Sequence, residues 1–176
     1  MKALILEDSF QKLSTASRIL HEYSMEYVHF DNTDTPYQMY LVNGSLADFD
    51  LVILDLFFYK RVPLIGETRL PSSTAGFYFL LKMAEYEYSV PVIIYSSEDS
   101  YLSGLENFFL PTLEEYSKSF EKAPLPSRCY NVEERYKNEI ENKKKFLEFA
   151  KNLILGHAHD AFELKRLVSE FTISKR

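Results

Sequence analysis

The chain has 176 residues, 46% of them hydrophobic and 26% charged, a balance that fits one packed domain and excludes a disordered chain. Its longest apolar runs, "LVIL" and "VPVII", are far short of the ~20 residues needed to span a bilayer, and "MKALILEDS" reaches an acidic pair too soon to hold a signal-peptide core. The net charge is −6, with 10 Lys+Arg against 18 Asp+Glu in residues 1–130 and 10 against 8 in residues 131–176, so the acidic body disfavours binding to a phosphate backbone.

Strand and helix patterns alternate along the chain. "KALIL" (Lys2 to Leu6) reads as a strand, and Leu13, Ala16, Leu20 and Tyr23 then recur at helical spacing. "EYVHF" (Glu26 to Phe30) is rich in strand formers. In "TPYQMYLVNG", Thr35 is expected as N-cap, Pro36 at the first helical position and Gly44 as the stop. Leu51 to Leu54 is a continuous apolar strand, Ala75 to Tyr88 a helix through Phe77, Leu80, Leu81 and Ala84, and "VPVIIY" (Val90 to Tyr95) another buried strand. A helix near Tyr101 to Leu110 and a weaker strand, "EYSKSF" (Glu115 to Phe120), follow. Beyond a proline-bearing connector, Val132 to Leu155 reads as a long helix of about 36 Å, with Val132, Tyr136, Ile140, Leu147, Ala150 and Ile154 along one stripe. Gly156 is its expected C-cap, His157 and His159 a solvated connector, and "DAFE" (Asp160 to Glu163) a capping box that opens a last helix through Leu164, Leu167, Val168 and Phe171. The two last helices either pack back on the domain or form an arm for dimerisation or docking.

Unbroken apolar strands separated by helices imply a parallel sheet covered on both faces, whose functional crevice lies at the carboxyl ends of the strands. The polar residues at those ends are Glu7, Asp8, Asp55, Ser96, Ser97 and Lys118. A carboxylate closing a buried strand, as Asp55 does, is costly without partners. Three carboxylates at one sheet edge repel one another unless a cation lies among them, and Mg²⁺ suits an all-oxygen site with few protein ligands. With a hydroxyl at Ser96 and an ammonium at Lys118, such a site has the parts to hold a phosphoryl group on a carboxylate nucleophile.

These segments resemble the receiver domain of two-component response regulators. "LILEDS" is similar to its first strand with the acidic pair, "DLVILDL" to its third strand with the phosphorylatable aspartate, "VPVIIYSS" to its fourth and "YSKSF" to its fifth with the lysine. The 47 residues from Asp8 to Asp55 and the 22 from Ser96 to Lys118 match the family's spacing. The resemblance covers roughly residues 1–122 and implies a doubly wound, five-stranded parallel α/β sheet of the flavodoxin-like receiver type, with residues 123–176 as a connector and a helical C-terminal extension. It further implies that Asp55 is the phosphoacceptor, that Asp8, Asp55 and the Phe57 backbone carbonyl hold Mg²⁺ with Glu7 assisting through water, and that Ser96 and Lys118 contact the phosphoryl group. The implied partners are a histidine kinase or phosphotransfer protein, a downstream protein target and a possible second copy bound through the C-terminal helices; neither a membrane nor a nucleic acid is expected.

Three features depart from the family pattern. An insertion of about ten residues follows Asp55 before Gly76, Lys118 precedes Ser119 where the family has proline, and the aromatic before the lysine is displaced to Tyr116. They leave open a second reading, a pseudo-receiver that binds proteins without cycling phosphate. An aspartyl-phosphate hydrolase is disfavoured because the position two after the nucleophile is Phe57 rather than an acid, so no separate enzyme activity is expected beyond self-phosphorylation and autodephosphorylation. The single cysteine, Cys129, without an export signal, points to the cytoplasm.

Overall fold

A computed structural model of the chain describes residues 1–58, 75–97, 101–110 and 132–175. In chain order the elements are β1 (Lys2–Leu6), α1 (Phe10–Glu22), β2 (Glu26–Phe30), α2 (Asp34–Pro36), β3 (Leu51–Leu54), α3 (Ala75–Glu85), β4 (Val92–Tyr95), α4 (Tyr101–Phe109), α5 (Val132–Leu153), β5 (Ile154–Ala158) and α6 (Ala161–Ser174). The strands form one parallel sheet in the order β2-β1-β3-β4-β5. This is the doubly wound order, with a switch point between β1 and β3 where successive connections leave in opposite directions.

The central strands β1, β3 and β4 are almost wholly apolar because both faces of the sheet are covered there. Alternate residues serve alternate faces. Leu4, Leu6, Val52, Leu54, Val92 and Ile94 pack with Phe79, Leu80 and Met83 of α3 and with Leu147, Ala150 and Leu153 of α5. Ala3, Ile5, Leu51, Ile53, Ile93 and Tyr95 pack with Ala16, Ile19 and Leu20 of α1 and Leu164, Val168 and Phe171 of α6. Among the described residues no helix is long and apolar enough to cross a membrane.

The structure changes two expectations about elements. The second helix is capped at Thr33, two residues earlier than Thr35, because the Asn32 side chain accepts the Thr35 N–H (2.9 Å) and starts the turn there. Pro36 is therefore its third residue, and the chain continues through wide π-type turns over Tyr37–Val42 before Gly44, at φ +80°, ends the stretch.

The larger correction concerns the fifth strand. "EYSKSF" lies outside the described residues, and the strand beside β4 is Ile154–Ala158, which the sequence presents as a helix end and a connector. A register shift beside Ile93 leaves Leu155 exposed, and Gly156 then lies against α6, where a Cβ would come 2.6 Å from Leu167 Cδ2. His157 is thus a strand residue, half-buried, with His159 just beyond it and the two rings edge to face at 3.9 Å. The capping box forms at Asp160, whose Oδ1 accepts the Glu163 N–H (2.9 Å), while Glu163 reaches back to the N–H of His159 rather than of Asp160. A boundary at residue 122 therefore does not divide sheet from extension. The segment read as an extension supplies one strand and part of each covering layer, and the chain ends in a helix packed on the sheet.

Candidate functional site at the carboxyl edge of β1 and β3

The backbone at the switch point is pinned from three strands. Asp55 N–H donates to the Leu6 carbonyl (2.9 Å), Glu7 N–H donates to the Phe30 carbonyl (3.1 Å), and His29 Nε2 of β2 donates to the Glu7 carbonyl (2.7 Å). These bonds hold the residues that follow β1 and β3 side by side. Carboxylate oxygens of Glu7, Asp8 and Asp55 consequently lie within 4.8 Å of one another. Glu7 is 1% exposed and Asp55 2%. Ser9 N–H donates to Glu7 Oε1 (2.8 Å) and Phe57 N–H to Asp55 Oδ1 (3.2 Å), fixing one oxygen of each.

Gly76, at the start of α3, closes this edge from behind. Its N–H donates to the Leu56 carbonyl (3.3 Å), and a Cβ at this position would overlap the Asp55 carbonyl oxygen and come 2.6 Å from Leu56 Cα. Only a residue without a side chain lets α3 approach so near the backbone of Asp55.

A cation from α1 enters the cluster. Lys12 Nζ donates to Asp55 Oδ2 (2.9 Å), sits 3.5 Å from Glu7 Oε2 and 3.5 Å from the Tyr95 carbonyl, and lies 5.5 Å from the Tyr95 ring centroid. Burial lowers its pKa, but the hydrogen bond and charge of Asp55, followed by Glu7, outweigh that and hold the ammonium above its ordinary value. Glu7 goes the other way for a carboxylate. Burial and then the Asp55 charge push it up to about 8, against the opposing pull of the Ser9 N–H and Lys12.

The remaining residues named from the sequence fall as follows. Ser96 follows β4, buried at 1% exposure; its N–H donates to the Ala158 carbonyl (3.1 Å) and its carbonyl accepts from His157 Nε2 (2.9 Å). Phe57 is two residues past Asp55 on the same rim, its ring edge to face with Phe77 at 5.6 Å. Phe58, the next residue, is core and 3% exposed. Lys118, Ser119, Cys129 and the insertion after Asp55 lie outside the described residues. The sequence reading missed Lys12 and the role of His157 beside Ser96. Lys12 had one signal: it sits in the first turn of α1, which holds no acidic residue, where the helix dipole disfavours a cation.

The cluster suits a hard divalent cation. Its donors are all oxygens, Lys12 pairs with only two of the three carboxylates, and Glu7 Oε2 is buried without accepting a hydrogen bond. Among the described residues, Glu7, Asp8 and Asp55 form the group that could hold a metal ion.

No family model matches the sequence, and no curated protein matches it. Solved structures do share its fold. The N-terminal domain of a response regulator/sensory box/GGDEF three-domain protein from Carboxydothermus hydrogenoformans aligns with TM-score 0.53 at 13% identity over 99% of this chain and 96% of that one. A Francisella response regulator receiver domain aligns with TM-score 0.50 at 12% identity, over 99% and 98%. A receiver domain protein from Clostridium thermocellum gives TM-score 0.50 at 12% identity, over 99% and 95%. The chain is similar to response-regulator receiver domains in fold, and its sheet order is the one expected of them.

Proposed function

We propose that this protein is a phosphoacceptor signalling module, with Asp55 as the acceptor and a protein partner as the reader of its state. The observation that carries the reading is the convergence of Glu7, Asp8 and Asp55 within 4.8 Å at the switch point of a receiver-like sheet. An oxygen of the Asp55 carboxylate attacks phosphorus, and the bond from phosphorus to the donor's leaving atom breaks, with a phosphohistidine of a kinase or phosphotransfer protein as the donor class. Glu7, Asp8 and Asp55, with the Phe57 carbonyl, would hold Mg²⁺, which when bound supplies positive charge to the phosphoryl oxygens. Ser96 and Lys118 are assigned to the phosphoryl group, Ser96 from the position just after β4. The work of the chain is positioning and charge, so no separate enzyme activity is assigned beyond turning over its own acyl phosphate. One cysteine in the whole chain supports a reducing, cytoplasmic setting.

The test is incubation with a small phosphodonor and Mg²⁺ followed by intact mass. One added phosphoryl group is expected on the wild-type chain and none on Asp55→Asn, whose amide does not attack phosphorus in this way. An adduct that persists on Asp55→Asn would move the acceptor elsewhere. A specific observation favours a second reading, a pseudo-receiver binding module: β5 carries "ILGHA" with no lysine, and Lys12 already neutralises Asp55. A chain that binds Mg²⁺ yet forms no adduct with a small donor or a panel of kinases would establish that alternative.

A further inference from the structure

We propose that Lys12 is a tethered counter-cation that occupies the acidic cluster and competes with a divalent metal ion for it, so that the first turn of α1 sets the metal affinity of the site. The inference rests on reading the cluster as a metal site. Lys12 Nζ bridges two of its three carboxylates, at 2.9 Å from Asp55 Oδ2 and 3.5 Å from Glu7 Oε2. Direct Mg–O contacts are only ~2.1 Å. An ion drawn in among these oxygens would therefore face an ammonium at near contact, in surroundings where charges are weakly screened.

The placement of Lys12 is not that of an ordinary surface lysine. In the first turn of α1 the helix dipole opposes a cation, so the attraction that holds it there comes from the cluster. A second seat adjoins the first. The Tyr95 carbonyl at 3.5 Å and the Tyr95 ring at 5.5 Å offer the ammonium an acceptor and a π face on the β4 side of the carboxylates. The side chain is 23% exposed while Glu7 and Asp55 are closed off, so Lys12 is the member of the group with room to move aside. Metal entry is then an exchange of cations, in which the ammonium gives up Asp55 and Glu7 and the metal takes them.

The test uses the full chain and compares wild type with Lys12→Met, which keeps the length and loses the charge, and Lys12→Arg, which keeps the charge. Each is titrated with Mg²⁺ by calorimetry and with Tb³⁺ through tyrosine-sensitised luminescence, and melted with and without Mg²⁺. Lys12→Met is expected to bind metal about tenfold more tightly or better, to melt lower than wild type without metal because Asp55 and Glu7 lose their cation, and to regain stability when Mg²⁺ is added. Lys12→Arg should stay near wild type. If Lys12→Met is unfolded without metal, refolding on addition of Mg²⁺ supports the exchange, and failure to refold overturns it. Wild-type binding with no gain in Lys12→Met overturns the competition and leaves the metal reading intact. Absence of binding in both chains overturns both.

Discussion

Glu7 and Gly76 illustrate how single residues carry the cost of assembling the site. With its pKa raised from 4.5 to about 8, Glu7 binds a proton more readily in the folded chain than in the unfolded one. The stability linked to it is fully present below about pH 4.5 and is lost as pH rises toward about 8, since across that window the unfolded carboxyl ionises freely while the folded one still holds its proton. Metal-free wild-type protein should therefore grow less stable across that window, and Glu7→Gln should flatten the trend. Denaturant melts at several pH values check this, and equal slopes for the two chains would remove Glu7 as the titrating group. At Gly76 the helix propensity of alanine would gain about 1 kcal/mol, but the Cβ would press on the backbone at Asp55 and Leu56 rather than on a yielding side chain. Gly76→Ala is expected to destabilise by about 1–3 kcal/mol net, and to weaken metal binding by displacing Asp55, which melting and metal titration read separately.

Among the elements, β5 and α6 pack closely on each other. Gly156 lets α6 settle on an edge strand, and the atom that a Cβ would meet is the end of the flexible Leu167 side chain. Alanine there should cost little, because Leu167 can rotate away. Valine adds two branches in the same space and should cost about 1–3 kcal/mol, measured as a fall in the denaturation midpoint. A Leu167→Ala background should relieve most of the valine cost, since the two changes share one volume. Asp160→Ala removes the cap that starts α6 and should cost about 1 kcal/mol, separating the effect of the helix end from that of the packing.

For the whole molecule, α5, β5 and α6 contribute residues to the core. Leu147, Ala150 and Leu153 of α5 share a cluster with β1, β3 and β4, while Leu164, Val168 and Phe171 of α6 share the opposite one with α1. Truncation before Val132 would open both faces and leave β4 as an unpaired edge. The shortened chain is expected to lose its cooperative melt and to bind a hydrophobic dye, which circular dichroism and dye fluorescence would show. A folded, soluble product would instead restore the picture of a detachable arm. This packing also takes the buried part of the α5 stripe away from any role in dimerisation, so light scattering on the full chain should give a mass unaffected by changes at Leu147 or Ala150 that preserve folding.

The sequence by itself determined the first four strands and the acidic edge. "KALIL", "LVIL" and "VIIY" are short, apolar and closed by polar residues, a pattern set by burial on both faces and visible without knowing any neighbour. Glu7, Asp8 and Asp55 were legible for the same reason, because a carboxylate that ends a buried strand signals a partner. Tertiary structure alone decided the fifth strand and the cation. "ILGHA" follows a helical stripe, contains a glycine and has two apolar residues at its start, so local propensity reads it as a helix end; it becomes a strand because β4 offers an open edge and Leu167 needs the space above Gly156. Lys12 reaches Asp55 across 43 residues of sequence only once α1 has docked on the sheet. Charge partners of that kind are set by how helices pack, and no periodicity along the chain records them.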